Sequence, residues 1–250
     1  MEQIKFFDCN VQLGMRAIIH PGSFYKTEDL LKKMEHNDIA DALVYHTIAA
    51  THRPVDGNEI LIKGIENIPN LHPAWVIMPH HTGEFPEPYA LYDSMKKNNV
   101  RAVRMFPSAQ GYTMSEWNAG ELLSMLEECG VPLLIHQSDI SWDTINTMLT
   151  NHPKLKFILS LVIFNCGRNI YPLLNKHKNL YIETIGFKIY EGIEDVCKKF
   201  GAERLIFGSG APLYSSGGAV GMIMYADIST KEKQVIASEN LLSLMEGAVL

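Results

Sequence analysis

Val131-Pro-Leu-Leu-Ile-His-Gln-Ser-Asp139 is the stretch of the sequence that decides the fold. A short apolar run ends abruptly in His136 and three further polar residues. This pattern is typical of a strand that is buried on both faces of a parallel sheet and releases polar groups at its C-terminal end. Proteins with parallel sheets carry out their chemistry at that end. The stretch therefore predicts a buried parallel strand that presents His136 at a candidate site.

The same pattern recurs along the chain and predicts about eight strands with helical segments between them. The predicted strands are Ile4 to Cys9, Asp41 to His46, His72 to Met78, Val100 to Phe106, Val131 to His136, Lys156 to Val162, Leu180 to Ile185 and Arg204 to Gly208. Parallel strands need helical crossovers between them, so strict alternation indicates a parallel sheet. Eight such units in 250 residues favour a closed (β/α)8 TIM-type barrel that spans residues 1–250 as a single domain.

Helix ends are also marked in the sequence. Thr27 is a candidate N-cap for a helix over Thr27 to His36, and Gly130 is in the position that a helix C-cap prefers after Cys129. Ser229 and Glu232 have the spacing of a capping box at the start of a last helix.

Composition and charge limit the classes of partner. The chain is 46% hydrophobic and 20% charged, as in ordinary soluble globular proteins, and its net charge of −6 offers no basic surface for nucleic acid. No run reaches membrane length, and the opening residues Met1 to Asp8 lack the basic and apolar segments of a signal peptide. The four cysteines are scattered, which favours reduced thiols. We therefore expect a cytoplasmic protein whose partner is a small molecule.

Four long irregular segments follow predicted strands and would form loops over the C-terminal mouth of the barrel, where active sites are built. They are Leu13 to Lys26, Thr47 to Gly57, His80 to Pro88 and Ser108 to Glu116. Their length favours a pocket with a lid.

Histidines follow several of the predicted strands. His46, His80 and His136 are at strand ends, where imidazoles suit metal binding or proton transfer. The alternative for each is that histidine is simply common at the polar start of a loop. His136 differs because it extends a strand whose alternate residues face the barrel interior, and we interpret it as catalytic.

Alternation along other strands predicts further inward-facing polar groups. Asp8, Asn10 and Gln12 share one face at the end of the first strand. Arg104 inside a barrel would clamp a substrate carboxylate through its two-pronged guanidinium, or else form a buried ion pair with Asp8 or Glu183. Glu183 is in mid-strand, where a carboxylate is paired or acts as an acid or base.

Two weaker features lie near the last strand. Ser209 follows Phe207 and Gly208 without a Gly-x-Ser-x-Gly elbow, so it is interpreted as a turn residue at the site and not as a nucleophile. The glycine-rich run Ser215 to Gly218 could cradle an anion at the start of the next helix or form a plain flexible loop.

The order and spacing of six segments resemble the amidohydrolase-related branch of the amidohydrolase superfamily. The segments are Phe7-Asp-Cys-Asn-Val-Gln-Leu-Gly14, Val100-Arg-Ala-Val-Arg-Met-Phe-Pro107, Val131-Pro-Leu-Leu-Ile-His136, Asn179-Leu-Tyr-Ile-Glu-Thr184, Leu205-Ile-Phe-Gly-Ser-Gly-Ala-Pro212 and Ile236-Ala-Ser-Glu-Asn-Leu241. The resemblance extends nearly end to end. It implies a barrel-shaped metal-dependent hydrolase or decarboxylase, and it implies association into homo-oligomers.

The chain departs from this family at the metal-binding positions. The family expects Asp-x-His-x-His after the first strand, a histidine after the fifth, another after the sixth and an aspartate after the eighth. This sequence has Asp8-Cys-Asn-Val-Gln12, His136, Leu161 and Gly210 there, so His136 is the remaining metal-ligand candidate. A catalytic zinc site takes three protein ligands, so a divalent metal such as zinc would need unconventional ones, for example Asp8, His46 or His80.

Three functional hypotheses follow from the residues and the resemblance. The first is a diverged hydrolase or lyase for a small carboxylate or lactone, with the usual metal site largely lost. Its catalytic residues would be His136, Glu183 and Asp8, and its substrate-binding residues Arg104, Asn10, Gln12, His46, His80 and Ser209. The second is a catalytically silent protein that binds a small anion in the same pocket. The third is a structural or partner-binding protein.

Overall fold

Eight parallel strands follow one another around a single sheet in the order of the sequence. The computed structural model describes residues 4–248, apart from the side chain of Phe164. The strands are β1 (Phe6–Leu13), β2 (Ile39–His46), β3 (Leu71–Val76), β4 (Ala102–Arg104), β5 (Leu133–His136), β6 (Phe157–Ser160), β7 (Leu180–Glu183) and β8 (Leu205–Ile206). Each of the eight overlaps a predicted strand, although β1 continues to Leu13, four residues beyond its predicted end at Cys9. Residues 1–3, 249 and 250 of the predicted domain lie outside the described residues.

The sheet closes on itself between its first and last strands. Val11 of β1 pairs in parallel with Ala211 beyond β8. The Cys9 N–H donates to the Phe207 carbonyl at 3.0 Å, and the Gln12 N–H donates to the Ala211 carbonyl at 2.8 Å. Closure leaves no unpaired edge between β1 and β8, and the predicted (β/α)8 barrel is therefore confirmed.

Helices surround this barrel in the alternation that the sequence predicts. They are α1 (Thr27–His36), α2 (Thr47–Thr51), α3 (Pro54–Ile65), α4 (Pro88–Lys97), α5 (Pro107–Gln110), α6 (Glu116–Glu128), α7 (Trp142–Asn151), α8 (Gly167–Lys176), α9 (Gly192–Phe200), α10 (Ser216–Met224), α11 (Thr230–Gln234) and α12 (Asn240–Glu246). A π-helical segment, Val235–Glu239, joins α11 to α12. Among residues 4–248, no helix is both long enough and apolar enough to cross a bilayer.

Two helix-end predictions are confirmed and one is wrong. Ser229 and Glu232 form the capping box of α11, and Gly130 has a left-handed backbone after α6. The N-cap of α1 is Lys26, because the helix already begins at Thr27, and the Thr27 hydroxyl donates to the Gly64 carbonyl at 3.3 Å.

Two of the expected mouth loops contain helices. The segment Thr47 to Gly57 forms α2 and the start of α3, and Ser108 to Glu116 begins within α5. His46 is the N-cap of the first of these helices, and its Nδ1 accepts from the Ile48 N–H at 3.2 Å. A side-chain cap of this kind satisfies an otherwise free amide at a helix start.

The apolar residues form two cores separated by the strands. The outer core lies between the strands and the helices. The inner core fills the barrel, and at its base Leu241, Leu244 and Met245 of α12 pack with Phe7 and Leu43. Above this apolar filling, the strand ends bear the polar side chains of the candidate site.

The alternation of β1 is interrupted before its end. The register of β1 against β2 shifts between Asp8 and Val11, as at a β-bulge. Bulges are common at barrel rims, where they redirect side chains toward a site. Simple alternation therefore does not give the directions of Asp8 and Asn10, although both side chains are buried.

Replacement of Gly57 by alanine is expected to destabilise the fold by roughly 2–3 kcal/mol, because α3 packs too closely on α2 to leave room for a methyl group. A Cβ atom at Gly57 would lie 2.1 Å from the Ala49 amide nitrogen of α2. Gly64 is the matched control on α3, since nothing lies within 4 Å of its Cβ position. Gly64→Ala is expected to be neutral or stabilising by about 0.5 kcal/mol. Urea unfolding of both variants tests the packing, and equal stabilities would contradict it.

Candidate functional site

The C-terminal ends of five strands bring polar side chains into one hydrogen-bonded network. Its members are Asn10 of β1, Arg104 of β4, His136 of β5, Ser160 of β6 and Glu183 of β7. Asp8 joins the network through the backbone of Asn10. Asp8, Arg104, His136 and Glu183, which the sequence predicts as site residues, therefore belong to one network at the strand ends.

Arg104 is at the centre of this network and is only 1% exposed. Its Nη1 donates to Asn10 Oδ1 at 2.7 Å, while Nη2 lies 3.3 Å from His136 Nε2 and 3.5 Å from Ser160 Oγ. The guanidinium carbon lies 4.5 Å from the ring centroid of Tyr45. Arg104 Nε is buried and has no partner among the residues that the structure describes. One edge of the guanidinium, Nε with the loosely bonded Nη2, is therefore incompletely satisfied.

Glu183 receives hydrogen bonds from three different groups. Oε1 accepts from Asn10 Nδ2 at 2.7 Å, and Oε2 accepts from the Ser160 hydroxyl and from the Leu161 N–H. Burial raises the pKa of Glu183, whereas the Arg104 guanidinium and these donors oppose the rise. Gly208 permits this placement, because a Cβ there would lie 2.3 Å from Glu183 Oε1.

Asp8 has one satisfied oxygen and one free oxygen. Oδ1 accepts from the Ser209 N–H at 2.8 Å and the Asn10 N–H at 3.0 Å, but Oδ2 is buried and has no partner within the described part of the chain. Burial is the main cause that raises the pKa of Asp8 to about 7, with a smaller contribution from the charge of Glu183. Asp8 can therefore hold a proton near neutral pH, as a general acid must.

His136 is at the end of β5, between Arg104 and Phe106. Burial and, to a smaller extent, the Arg104 charge lower the pKa of His136 to about 3. The imidazole is therefore neutral at physiological pH. Since the Arg104 Nη2 can only donate, His136 Nε2 is the acceptor and Nδ1 holds the proton.

The other residues predicted at the site have separate surroundings. Gln12 Oε1 is buried without a partner, and the Ser209 hydroxyl accepts from the Ala211 N–H at 3.1 Å. Ser209 thus holds the turn after β8, as interpreted from the sequence. His46 caps α2, and its Nε2 faces Gly14, where a Cβ would lie 2.5 Å away. His46 is therefore directed away from the network around Arg104.

His80 lies in a surface cluster with two glutamates. Its Nε2 is 3.0 Å from Glu87 Oε2 and 3.6 Å from Glu121 Oε2. The ligand atoms of His80, Glu87 and Glu121 all lie within 4.8 Å of one another. Within residues 4–248, these three form the group of histidine, cysteine or carboxylate residues that is close enough to share a metal ion. It could accept a divalent ion, although its two glutamates are largely exposed.

The donor set at the barrel mouth does not fit a divalent metal. Asn10 Oδ1 and His136 Nε2 both face the positively charged Arg104. Glu183 is engaged by three donors, and the Asp8 Oδ1 by two backbone amides. A metal ion would have to displace these donors and lie beside a buried guanidinium.

Ser160, Tyr45 and Leu161 contribute to the network but were not predicted as site residues. Ser160 and Tyr45 are alternate neighbours of the inward-facing Ile158 and Leu43, so strand alternation contained the signal for both. Leu161 contributes its backbone N–H, and its φ of 52° is unusual for a branched residue. No side-chain pattern indicates such a backbone contact.

Comparisons with known proteins give a family and a fold. A model of the amidohydrolase family matches residues 72–240. No curated protein matches the sequence. An uncharacterized TIM-barrel protein from Bordetella bronchiseptica has a TM-score of 0.78 at 16% identity, covering 98% of this chain and 99% of that one.

Two decarboxylases of known structure have similar barrels. The 5-carboxyvanillate decarboxylase of Sphingomonas paucimobilis has a TM-score of 0.75 at 12% identity, with 98% of this chain and 99% of that chain covered. The 2,6-dihydroxybenzoate decarboxylase of Rhizobium has a TM-score of 0.74 at 13% identity, with the same coverage. At such identities the likeness concerns the fold.

Proposed function

Because this chain belongs to the amidohydrolase family, we propose that it is a hydrolase or lyase that acts on a small carboxylate or lactone at the mouth of its barrel. The observation that carries the proposal is the buried, unpartnered Nε of Arg104. A buried donor without an acceptor is costly, and a ligand oxygen would satisfy it. The decarboxylases with similar barrels act on aromatic carboxylates, which supports an anionic substrate.

A carboxylate on the Nε and Nη2 edge of Arg104 would form a two-pronged, charge-assisted pair. It would also neutralise the guanidinium charge that contributes to the low pKa of His136. This would weaken only the smaller cause of the low pKa, so the pKa of His136 would rise in part, while burial, the larger cause, still holds it below its usual value. In this proposal a bound carboxylate makes His136 a better base than it is in the free protein.

Asp8 supplies the complementary acid. Its free Oδ2 can donate the proton that a leaving oxygen or a carbanion requires, since burial holds its pKa at about 7. Glu183 accepts from Asn10 and Ser160, which both contact Arg104, and so positions the guanidinium. The proposed chemistry uses no metal-dependent step.

A silent binding protein is the second candidate function. The observation in its favour is that Arg104 is 1% exposed and already has three acceptors from the protein. A guanidinium held in this way can bind an anion without assisting a reaction. Turnover therefore separates the two candidates, whereas binding does not.

The test begins with thermal-shift titrations of 2,6-dihydroxybenzoate, 5-carboxyvanillate and simple lactones, with the corresponding benzamides as neutral analogues. We expect a carboxylate to bind and Arg104→Lys to weaken it by about tenfold or more, because lysine lacks the two-pronged geometry. Arg101→Lys is the matched control, since Arg101 contacts Asn99 on the exposed side of the same segment. Equal affinities in wild type and Arg104→Lys would remove Arg104 from the site.

Turnover is measured as carbon dioxide or acid release from the ligands that bind. An enzyme should lose this activity in Asp8→Asn while it retains binding. Binding without any turnover would favour the silent protein.

A further inference from the structure

We infer that the Arg104 guanidinium takes the place of a metal ion at the barrel mouth. It occupies the point at which the ligand atoms converge and so excludes a divalent metal ion. The inference goes beyond the proposed function, because it applies whether or not the protein is an enzyme. Its evidence is the arrangement of acceptors around Arg104.

The acceptors come from three strands and meet at one group. Asn10 Oδ1 of β1, His136 Nε2 of β5 and Ser160 Oγ of β6 lie 2.7, 3.3 and 3.5 Å from the terminal nitrogens of Arg104. Amide oxygen, imidazole nitrogen and hydroxyl oxygen are all atoms that also bind metal ions. Here each of them is directed at a nitrogen that cannot be deprotonated in a protein.

Glu183 completes the arrangement from β7. It reaches Arg104 through Asn10 and Ser160, each of which bonds to both residues. A buried carboxylate needs a nearby positive charge, and Arg104 supplies it. The site therefore has a charge balance of its own before any ion is added.

After β6 and β8, the chain offers backbone groups instead of ligand side chains. After β6, Leu161 gives its N–H to Glu183. After β8, Gly210 adopts a φ of 63° and packs against Tyr214, where a Cβ would lie 2.7 Å from the ring. These positions add no negative charge that could compensate for a second cation.

Removal of the guanidinium should leave a latent metal site. His136 Nε2, Asn10 Oδ1 and the Glu183 carboxylate would then surround a space without its cation. An imidazole and a carboxylate are two of the ligand types that Zn²⁺ takes in proteins, and the Asn10 amide oxygen would be a weaker third ligand. We therefore expect Arg104→Ala to gain metal binding that the unmodified mouth lacks.

The experiment uses a His80→Ala background, so that the surface cluster with Glu87 and Glu121 contributes no ion. Zn²⁺ binding is measured by calorimetry and by metal analysis after dialysis. We expect no retained zinc in His80→Ala, stoichiometric zinc in His80→Ala/Arg104→Ala, and loss of that zinc when His136→Ala is added. Arg104→Lys retains the charge and should retain no zinc.

Two outcomes would overturn the inference. One is stoichiometric zinc in His80→Ala that disappears with His136→Ala, since an ion would then bind beside Arg104. The other is a folded Arg104→Ala variant that binds no zinc. If Arg104→Ala does not fold, the comparison of His80→Ala with His80→Ala/His136→Ala still decides. These readouts do not depend on turnover, so failure of the proposed enzymatic function leaves them intact.

Discussion

Replacement of Arg104 by methionine is expected to lower the free energy of unfolding by roughly 3–5 kcal/mol, which is the usual cost of leaving a buried charge without its partner. Methionine fills much of the space but provides no charge for Glu183 and no donor for Asn10 or His136. For a protein of this size the melting temperature should fall by about 10 °C or more. Urea unfolding and calorimetry at pH 7 measure the effect.

A double-mutant cycle separates charge from packing. Glu183→Gln removes the buried negative charge, so its combination with Arg104→Met should destabilise less than the sum of the single changes, by about 1–3 kcal/mol. Arg101→Met is the surface control and should change stability by less than about 0.5 kcal/mol. Additive single effects would show that Arg104 and Glu183 are not coupled.

The second large effect concerns pH, because Asp8 and His136 have pKa values shifted in opposite directions. Burial and Arg104 lower the pKa of His136 from 6.5 to about 3, so its contribution is complete above pH 6.5 and is lost as the pH falls toward 3. Burial raises the pKa of Asp8 from 3.8 to about 7, so its contribution is complete below pH 3.8 and is lost as the pH rises toward 7. Each shift corresponds to roughly 3–5 kcal/mol.

Between about pH 4 and 6.5 these two contributions oppose each other in the wild type. His136→Gln removes one of them, and its stability relative to wild type should decrease as the pH rises through this window. Asp8→Asn removes the other, and its relative stability should decrease as the pH falls. Urea unfolding of the three proteins from pH 4 to 8 provides the comparison. Parallel curves for both variants would refute the assigned pKa shifts.

The fold could be predicted because each strand of the barrel is a separate apolar run with a polar end. The run from Val131 to His136 illustrates this, since β5 forms within it and ends at His136. The resemblance to the amidohydrolase superfamily is confirmed by the family model that matches residues 72–240. Local alternation was sufficient for these conclusions, because burial on both faces is a property of each strand alone.

The errors arose where tertiary contacts override local pattern. Thr27 has the side chain of an N-cap, but α1 begins one residue earlier than that role requires, and the Thr27 hydroxyl donates to the Gly64 carbonyl on α3. The segment after β2 has no readable helix start, since its cap is the imidazole of His46. The Gly64 carbonyl could not be identified from spacing along the chain, whereas His46 directly precedes α2 and was missed because histidine is not among the usual N-cap residues.

The partners of Arg104 show which part of the candidate site could not be predicted from the sequence. The sequence left a substrate clamp and an ion pair with Asp8 or Glu183 as alternatives. In the structure the guanidinium bonds directly to Asn10 and His136, and it reaches Glu183 through bridging side chains. Strand alternation indicates which side chains face inward, but the angular positions of strands around a barrel decide which of them meet.

The packing of α12 against the base of the barrel closes that end of the barrel to ligands. Because Leu241, Leu244 and Met245 pack with Phe7 and Leu43 in the inner core, apolar side chains fill the barrel below the polar network. A molecule that binds Arg104 must therefore arrive and depart by the same opening. If the proposed reaction takes place there, substrate and product would use this one opening, and we expect product inhibition to be competitive.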